Sequence, residues 1–90
     1  MRKVILAKLT LQDSEEIQSS DRIYRTFKSL LQNQFISEEK KSDIAVEMQK
    51  SLLKSREVYK AVMLKYNIPY SIDVLYNIDP ITDELYVYIN

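Results

Sequence analysis

The hydrophobic and polar positions divide the 90-residue chain into five segments of different periodicity. Residues 3–9 are almost continuously apolar, which is more typical of a strand covered on both faces than of an edge strand. Residues 11–34 and 38–66 repeat apolar side chains at spacings of three and four, which predicts two helices. Residues 70–78 have an apolar side chain at every second position, and residues 85–89 alternate aliphatic side chains with tyrosines. This period of two predicts two further strands. The predicted order is therefore β-α-α-β-β.

Local capping signals place the ends of both helices. Thr10 is followed three residues later by Asp13, and Asp13 in turn by Glu16, so both offer an N-cap for the first helix. Ser37 directly precedes two glutamates and is the expected N-cap of the second helix. Asn67 suits the left-handed position after a helix, and Pro69 prevents the helix from continuing. Because the turn between the helices is short, we expect them to be antiparallel neighbours.

The last two predicted strands read as a hairpin with a four-residue loop, Pro80 to Asp83, so that Asp79 faces Glu84. The pairs predicted on one face are Val74 with Ile89, Tyr76 with Val87, and Ile78 with Leu85. Turn chemistry and hydrophobic pattern select the same register. The fold class is thus α+β. We expect a single domain over residues 1–90, in which an antiparallel helical hairpin packs against a small sheet containing a C-terminal β-hairpin.

The composition removes several classes of chemistry. The chain has no cysteine, histidine or glycine. Thiol catalysis, Ser-His-Asp triads, zinc sites built on Cys or His, and glycine-rich phosphate loops are therefore absent. We expect no enzymatic activity, no cofactor and no catalytic or metal-ligating residue.

The charge balance disfavours nucleic acid as a partner. Thirteen basic and thirteen acidic residues give a net charge of zero, whereas polyanion binders depend on many cations that release counterions. A small nucleic-acid-associated regulator, or a phage- or plasmid-borne inhibitor, remains the alternative function.

On the first helix, the four-residue spacing of Asp21 and Arg25 predicts an ion pair on the solvent side.

No apolar segment approaches the roughly 20 residues of a membrane helix. The apolar run Val4–Ala7 is also too short for a signal-peptide core. We therefore expect a cytoplasmic protein without a membrane partner.

The second helix carries more apolar residues than one packed seam requires, among them Ile44, Leu53 and Leu64. Two interpretations remain open. The sheet can cover a second face of this helix, or an apolar strip can stay exposed for a protein partner or a second copy of the chain.

The predicted sheet offers another candidate surface. Leu75, Tyr86 and Tyr88 fall on its outer face, and tyrosine is enriched in interfaces. Since a three-stranded sheet has at least one exposed edge, an extended peptide can add there as a strand. The alternative is that these side chains form ordinary cross-strand pairs or pack on the N-terminal strand.

Short motifs are distributed over most of the chain. They are Leu9-Thr10, Ser14-Glu15-Glu16-Ile17-Gln18, Lys65-Tyr66-Asn67-Ile68-Pro69, Ile72-Asp73, Asp79-Pro80 and Glu84-Leu85-Tyr86-Val87. With an arginine-containing first helix, this layout resembles the small accessory proteins of Cys-Xaa-Xaa-Xaa repeat peptide modification systems, which are encoded beside radical-SAM maturases. Val62 and Met63 stand where that family tends to have tryptophan, and we carry over no binding residue. The resemblance implies a non-catalytic adaptor that presents or recognises a peptide.

Overall fold

The computed structural model describes residues 1–90. Its elements are β1 (Arg2–Lys8), α1 (Leu11–Leu31), α2 (Glu38–Lys65), β2 (Asn77–Ile78) and β3 (Glu84–Ile89). The predicted β-α-α-β-β order, the helical hairpin and the C-terminal β-hairpin are confirmed. Neither helix combines the length and the apolar character that crossing a membrane requires.

The three strands form an antiparallel sheet in the order β1-β3-β2. The prediction that the first strand is covered rather than at an edge is wrong, because β1 pairs with β3 on one side only. Ile5, in the middle of that apolar run, is 52% exposed. The ladder is irregular between Ile5 and Ala7, and such a bulge bends an edge strand and increases its twist.

The hairpin loop has the predicted geometry, whereas its first strand is much shorter than predicted. Asp79 donates its N–H to the carbonyl of Glu84 at 2.9 Å, and Asp83 takes the left-handed conformation with φ 59°. Ile78 pairs with Leu85 as predicted, but the predicted strand over residues 70–78 is wrong for all but its last two residues.

Residues 70–76 form a loop because polar groups within them satisfy the backbone locally. The hydroxyl of Ser71 accepts from the N–H of Asp73 at 3.3 Å, and the N–H of Ser71 donates to the phenol oxygen of Tyr76 at 3.0 Å. Such side-chain contacts compete with the hydrogen bonds of a strand ladder. The alternation of apolar and polar side chains in residues 70–76 therefore belongs to a loop, and this loop lines the candidate site.

The buried side chains gather at one end of the molecule, which we call the base. Its core consists of Leu9, Ile17, Tyr59, Val62, Met63 and Leu85. Residues 21–54 of the helical hairpin, which we call the arm, contain no buried residue. The radius of gyration is 14.8 Å, against about 12 Å for a compact domain of this length. The arm therefore extends well beyond the sheet.

The end of α2 is a Schellman motif. Asn67 has φ 59°, its N–H donates to the carbonyl of Leu64, and the N–H of Ile68 donates to the carbonyl of Met63. This motif turns the chain from α2 into the loop that lines the candidate site.

We expect Asn67→Val to lower the free energy of unfolding by about 1–2 kcal/mol, because a β-branched residue fits the left-handed region poorly. Asn67→Gly is the matched control, since glycine takes this conformation freely. Urea denaturation of both variants is the measurement. Equal losses for Val and Gly would show that backbone conformation is not the cause.

Candidate functional site

A buried carboxylate joins the two helices at the base. Asp13, in the first turn of α1, is 7% exposed and accepts from Lys65 Nζ at 3.0 Å and from the Tyr66 hydroxyl at 2.9 Å. The Tyr66 hydroxyl in turn accepts from the N–H of Thr10. The Lys65 ammonium, followed by the other donors, holds the pKa of Asp13 below its usual value. This network fixes the start of α1 against the end of α2.

A second carboxylate joins the helices where the arm begins. Asp21 accepts from the Ser55 hydroxyl at 2.6 Å and from the Tyr59 hydroxyl at 2.9 Å. The predicted ion pair with Arg25 is wrong, because both carboxylate oxygens of Asp21 face α2. Burial, reinforced by the Asp21 charge, raises the pKa of the Tyr59 phenol. Tyr59 therefore stays protonated and acts as a donor.

Three tyrosines connect this carboxylate to the loop after α2. The ring centroids of Tyr59 and Tyr76 are 6.2 Å apart, and those of Tyr76 and Tyr70 are 5.4 Å apart. These distances lie in the favourable range for aromatic pairs. The cluster holds residues 70–77 beside the helical hairpin and leaves an open space between them.

We call this space the tyrosine groove, and its volume is about 350 Å³. The side chains of its apolar lining are Tyr24, Leu52, Tyr59, Tyr70, Ile72, Val74, Leu75 and Tyr76. The apolar side chains of its loop side are unusually open to solvent: Ile72 is 64% exposed and Leu75 is 81% exposed. Three adjacent exposed apolar side chains, Ile72, Val74 and Leu75, form the rim of the tyrosine groove.

The ionisable groups of the tyrosine groove are unevenly balanced. Its lining includes Arg25, Lys28 and Arg56 but only one acid, Asp21. None of the three cations takes part in an ion pair, whereas four lysines elsewhere do. The groove thus combines free positive charge with apolar contact area.

The structure separates the predicted sheet residues. Leu75 lies outside the sheet, on the groove rim, so its predicted place on the outer sheet face is wrong. Leu85 and Val87 are buried, so Tyr86 and Tyr88 project from the opposite face of β3. Their rings meet edge to face at 5.5 Å, and Lys3 Nζ lies 4.2 Å from the Tyr86 ring centroid.

Tyr86 also lines a second, more polar groove of about 370 Å³. This second groove shares Asp21, Arg25 and Asn77 with the tyrosine groove. Leu75 and Tyr86 are therefore linked by one continuous surface, although they lie on different structural elements. Tyr88 is not part of that lining and is 52% exposed.

The three predicted residues of α2 do not form one strip. Leu53 and Leu64 are 50% and 75% exposed, while Ile44 is half-buried. At about 100° per residue, Leu53 and Leu64 share a side of the helix and Ile44 lies on the opposite side. None of the three lines the tyrosine groove. Their role in partner binding stays a prediction.

Another groove, on the opposite side of the helical hairpin, has a larger volume but is less suited to a polypeptide. It has a volume of about 520 Å³, and its only hydrophobic lining residues are Ile23 and Val58. Glu15 and Glu16 border it alongside Lys54, so its lining has two acids against one cation. No cluster of three or more acidic side chains is placed to hold a metal ion.

Comparison with protein-family models, curated proteins and solved structures finds no match for this chain.

Sequence reasoning missed the tyrosine groove, although one signal for its charge is present. Residues 22–37 contain Arg22, Arg25 and Lys28 but no acid. The spacing of three puts these cations along one side of α1. The rim carried no comparable signal, because residues 70–76 have the alternation of a strand.

Proposed function

We propose that this protein is a non-enzymatic adaptor that binds a protein or an extended peptide in the tyrosine groove. The observation that carries the proposal is the exposed rim of Ile72, Val74 and Leu75 beside a cluster of tyrosines. Exposed apolar groups next to a concave aromatic surface are typical of sites that bind another molecule.

The polar groups Asp21 and Tyr59 in the lining of the tyrosine groove support binding rather than turnover. Each carboxylate oxygen of Asp21 accepts one hydrogen bond, from Ser55 or from Tyr59, so the Tyr59 hydroxyl is already used as a donor. A general acid or base needs a proton that it can exchange near neutral pH, and the raised pKa of Tyr59 works against this. The family resemblance described above implies the same class of function, an accessory protein of a peptide-modification system.

A selection from a random dodecapeptide display library on the immobilised full chain tests this proposal. We expect specific peptides to be enriched and their labelled synthetic forms to bind in fluorescence anisotropy. The double variant Ile72→Ser with Leu75→Ser should weaken that binding about tenfold, since it removes apolar contact area from the rim.

Ile81→Ser is the matched control, because Ile81 is 90% exposed but lies in the hairpin loop outside the groove. Tyr88→Ala tests whether the peptide binds at the outer sheet face instead of in the tyrosine groove. Failure to enrich any peptide would refute the proposal. A loss caused by Tyr88→Ala but not by the rim variant would move the site to the sheet.

A further inference from the structure

We propose that the tyrosine groove selects acidic, apolar segments, whose carboxylates pair with Arg25, Lys28 and Arg56. This inference rests on the peptide-binding function proposed above and names the chemistry of the ligand. Its basis is the distribution of charge in the groove, together with the apolar rim on its loop side.

The three cations have no acidic partner within the chain. Every ion pair of the protein uses a lysine outside the groove: Lys3, Lys41, Lys50 or Lys65. Arg25 and Lys28 lie three residues apart on α1, and Arg56 reaches the same groove from α2. Both helices thus supply positive charge to the groove, opposite its apolar loop side.

The one carboxylate of the groove faces Ser55 and Tyr59 and forms no ion pair with any of the three cations. Asp21 Oδ1 accepts from Ser55 and Oδ2 accepts from Tyr59. The lining therefore has three cations against one internally bonded acid. A ligand carboxylate is the complementary group, and guanidinium groups bind carboxylates with two parallel hydrogen bonds.

The apolar rim determines which kind of anion fits. Ile72, Val74 and Leu75 offer contact area that a free phosphate or a nucleic-acid backbone does not use. Nucleic acid also needs a longer track of cations to gain affinity through counterion release. An acidic segment with interspersed apolar side chains uses both features of the groove.

The probes are the dodecapeptide most strongly enriched in the selection above and two derivatives of it. In one derivative every Asp and Glu becomes Asn and Gln, and in the other every acid becomes Lys. We expect the enriched peptide to contain acids, to bind about tenfold more tightly than the amide form, and to bind the Lys form least.

The variant Arg25→Gln with Lys28→Gln should remove that preference, so that the acidic and amide peptides bind alike. Lys54→Gln, an exposed lysine on the far side of α2, should leave the preference unchanged. Circular dichroism checks that each variant is folded. A labelled oligonucleotide, dT12, serves as the polyanion probe.

Each result has one interpretation. Equal affinity for the acidic and amide peptides in the unmodified protein would overturn the charge inference and leave the peptide-binding function intact. Tighter binding of dT12 than of the acidic peptide, lost in Arg25→Gln with Lys28→Gln, would replace the acidic segment by nucleic acid. An absence of any enriched peptide would overturn both proposals.

Discussion

Ile17→Ala should lower the free energy of unfolding by about 2–5 kcal/mol, the usual cost of truncating a fully buried aliphatic side chain. Ile17 is 0% exposed, and only seven hydrophobic residues of the chain are buried. A domain of this size has a total stability of about 5–13 kcal/mol. Loss of this side chain therefore removes a large share of the stability of the base.

Ile23→Ala is the matched control, because Ile23 lies on the same helix but is 53% exposed. Its effect should stay within about 0.5 kcal/mol. Urea denaturation followed by circular dichroism measures both variants. Similar losses at the two positions would contradict the assignment of the core to the base.

Asp13→Asn should lower the free energy of unfolding at neutral pH by about 2 kcal/mol. The reason is that a buried, charged acceptor of the Tyr66 hydroxyl is replaced by a neutral one. The lowered pKa of Asp13 sets the pH dependence. A carboxylate with a lowered pKa stabilises the folded state above its unfolded pKa of about 4, and this contribution is lost as the pH falls through the folded value.

The difference between the wild type and Asp13→Asn should therefore be largest near pH 7 and shrink below about pH 4. Urea denaturation at several pH values measures it. Glu15→Gln is the control, because Glu15 is an exposed acid near the start of the same helix. A constant difference at all pH values would show that the charge of Asp13 is not responsible.

The elements that could be predicted from the sequence are those determined by nearby residues. Thr10, one of the two candidate caps, begins α1; Ser37 caps α2 and Asn67 ends it as expected. The loop from Pro80 to Asp83 fixes the pairing of the residues next to it. In each case the deciding contacts are made within a few positions along the chain, so the pattern contains them.

Other features depend on contacts between distant segments. Asp13 and Asp21 occupy positions that read as polar helix surface, yet their partners lie 34 to 53 residues away. β1 lies at an edge because β3 occupies the central position of the sheet, between β1 and β2. The apolar residues of β1 do not determine this strand order. The residues of the tyrosine groove come from α1, α2 and residues 70–77. Only contacts between these distant segments bring them together, so the hydrophobic periodicity of the sequence could not identify the groove.

The concentration of buried residues at the base gives the two ends of the molecule unequal local stability. Backbone amides of the arm can exchange with solvent through openings that leave the sheet intact, because few buried contacts hold the arm. The tyrosine groove takes side chains from both parts, Lys28 from the arm and Tyr70 from beside the base. A ligand bound in the groove therefore restrains local opening of the arm. The conformational entropy that the arm loses on becoming ordered opposes binding.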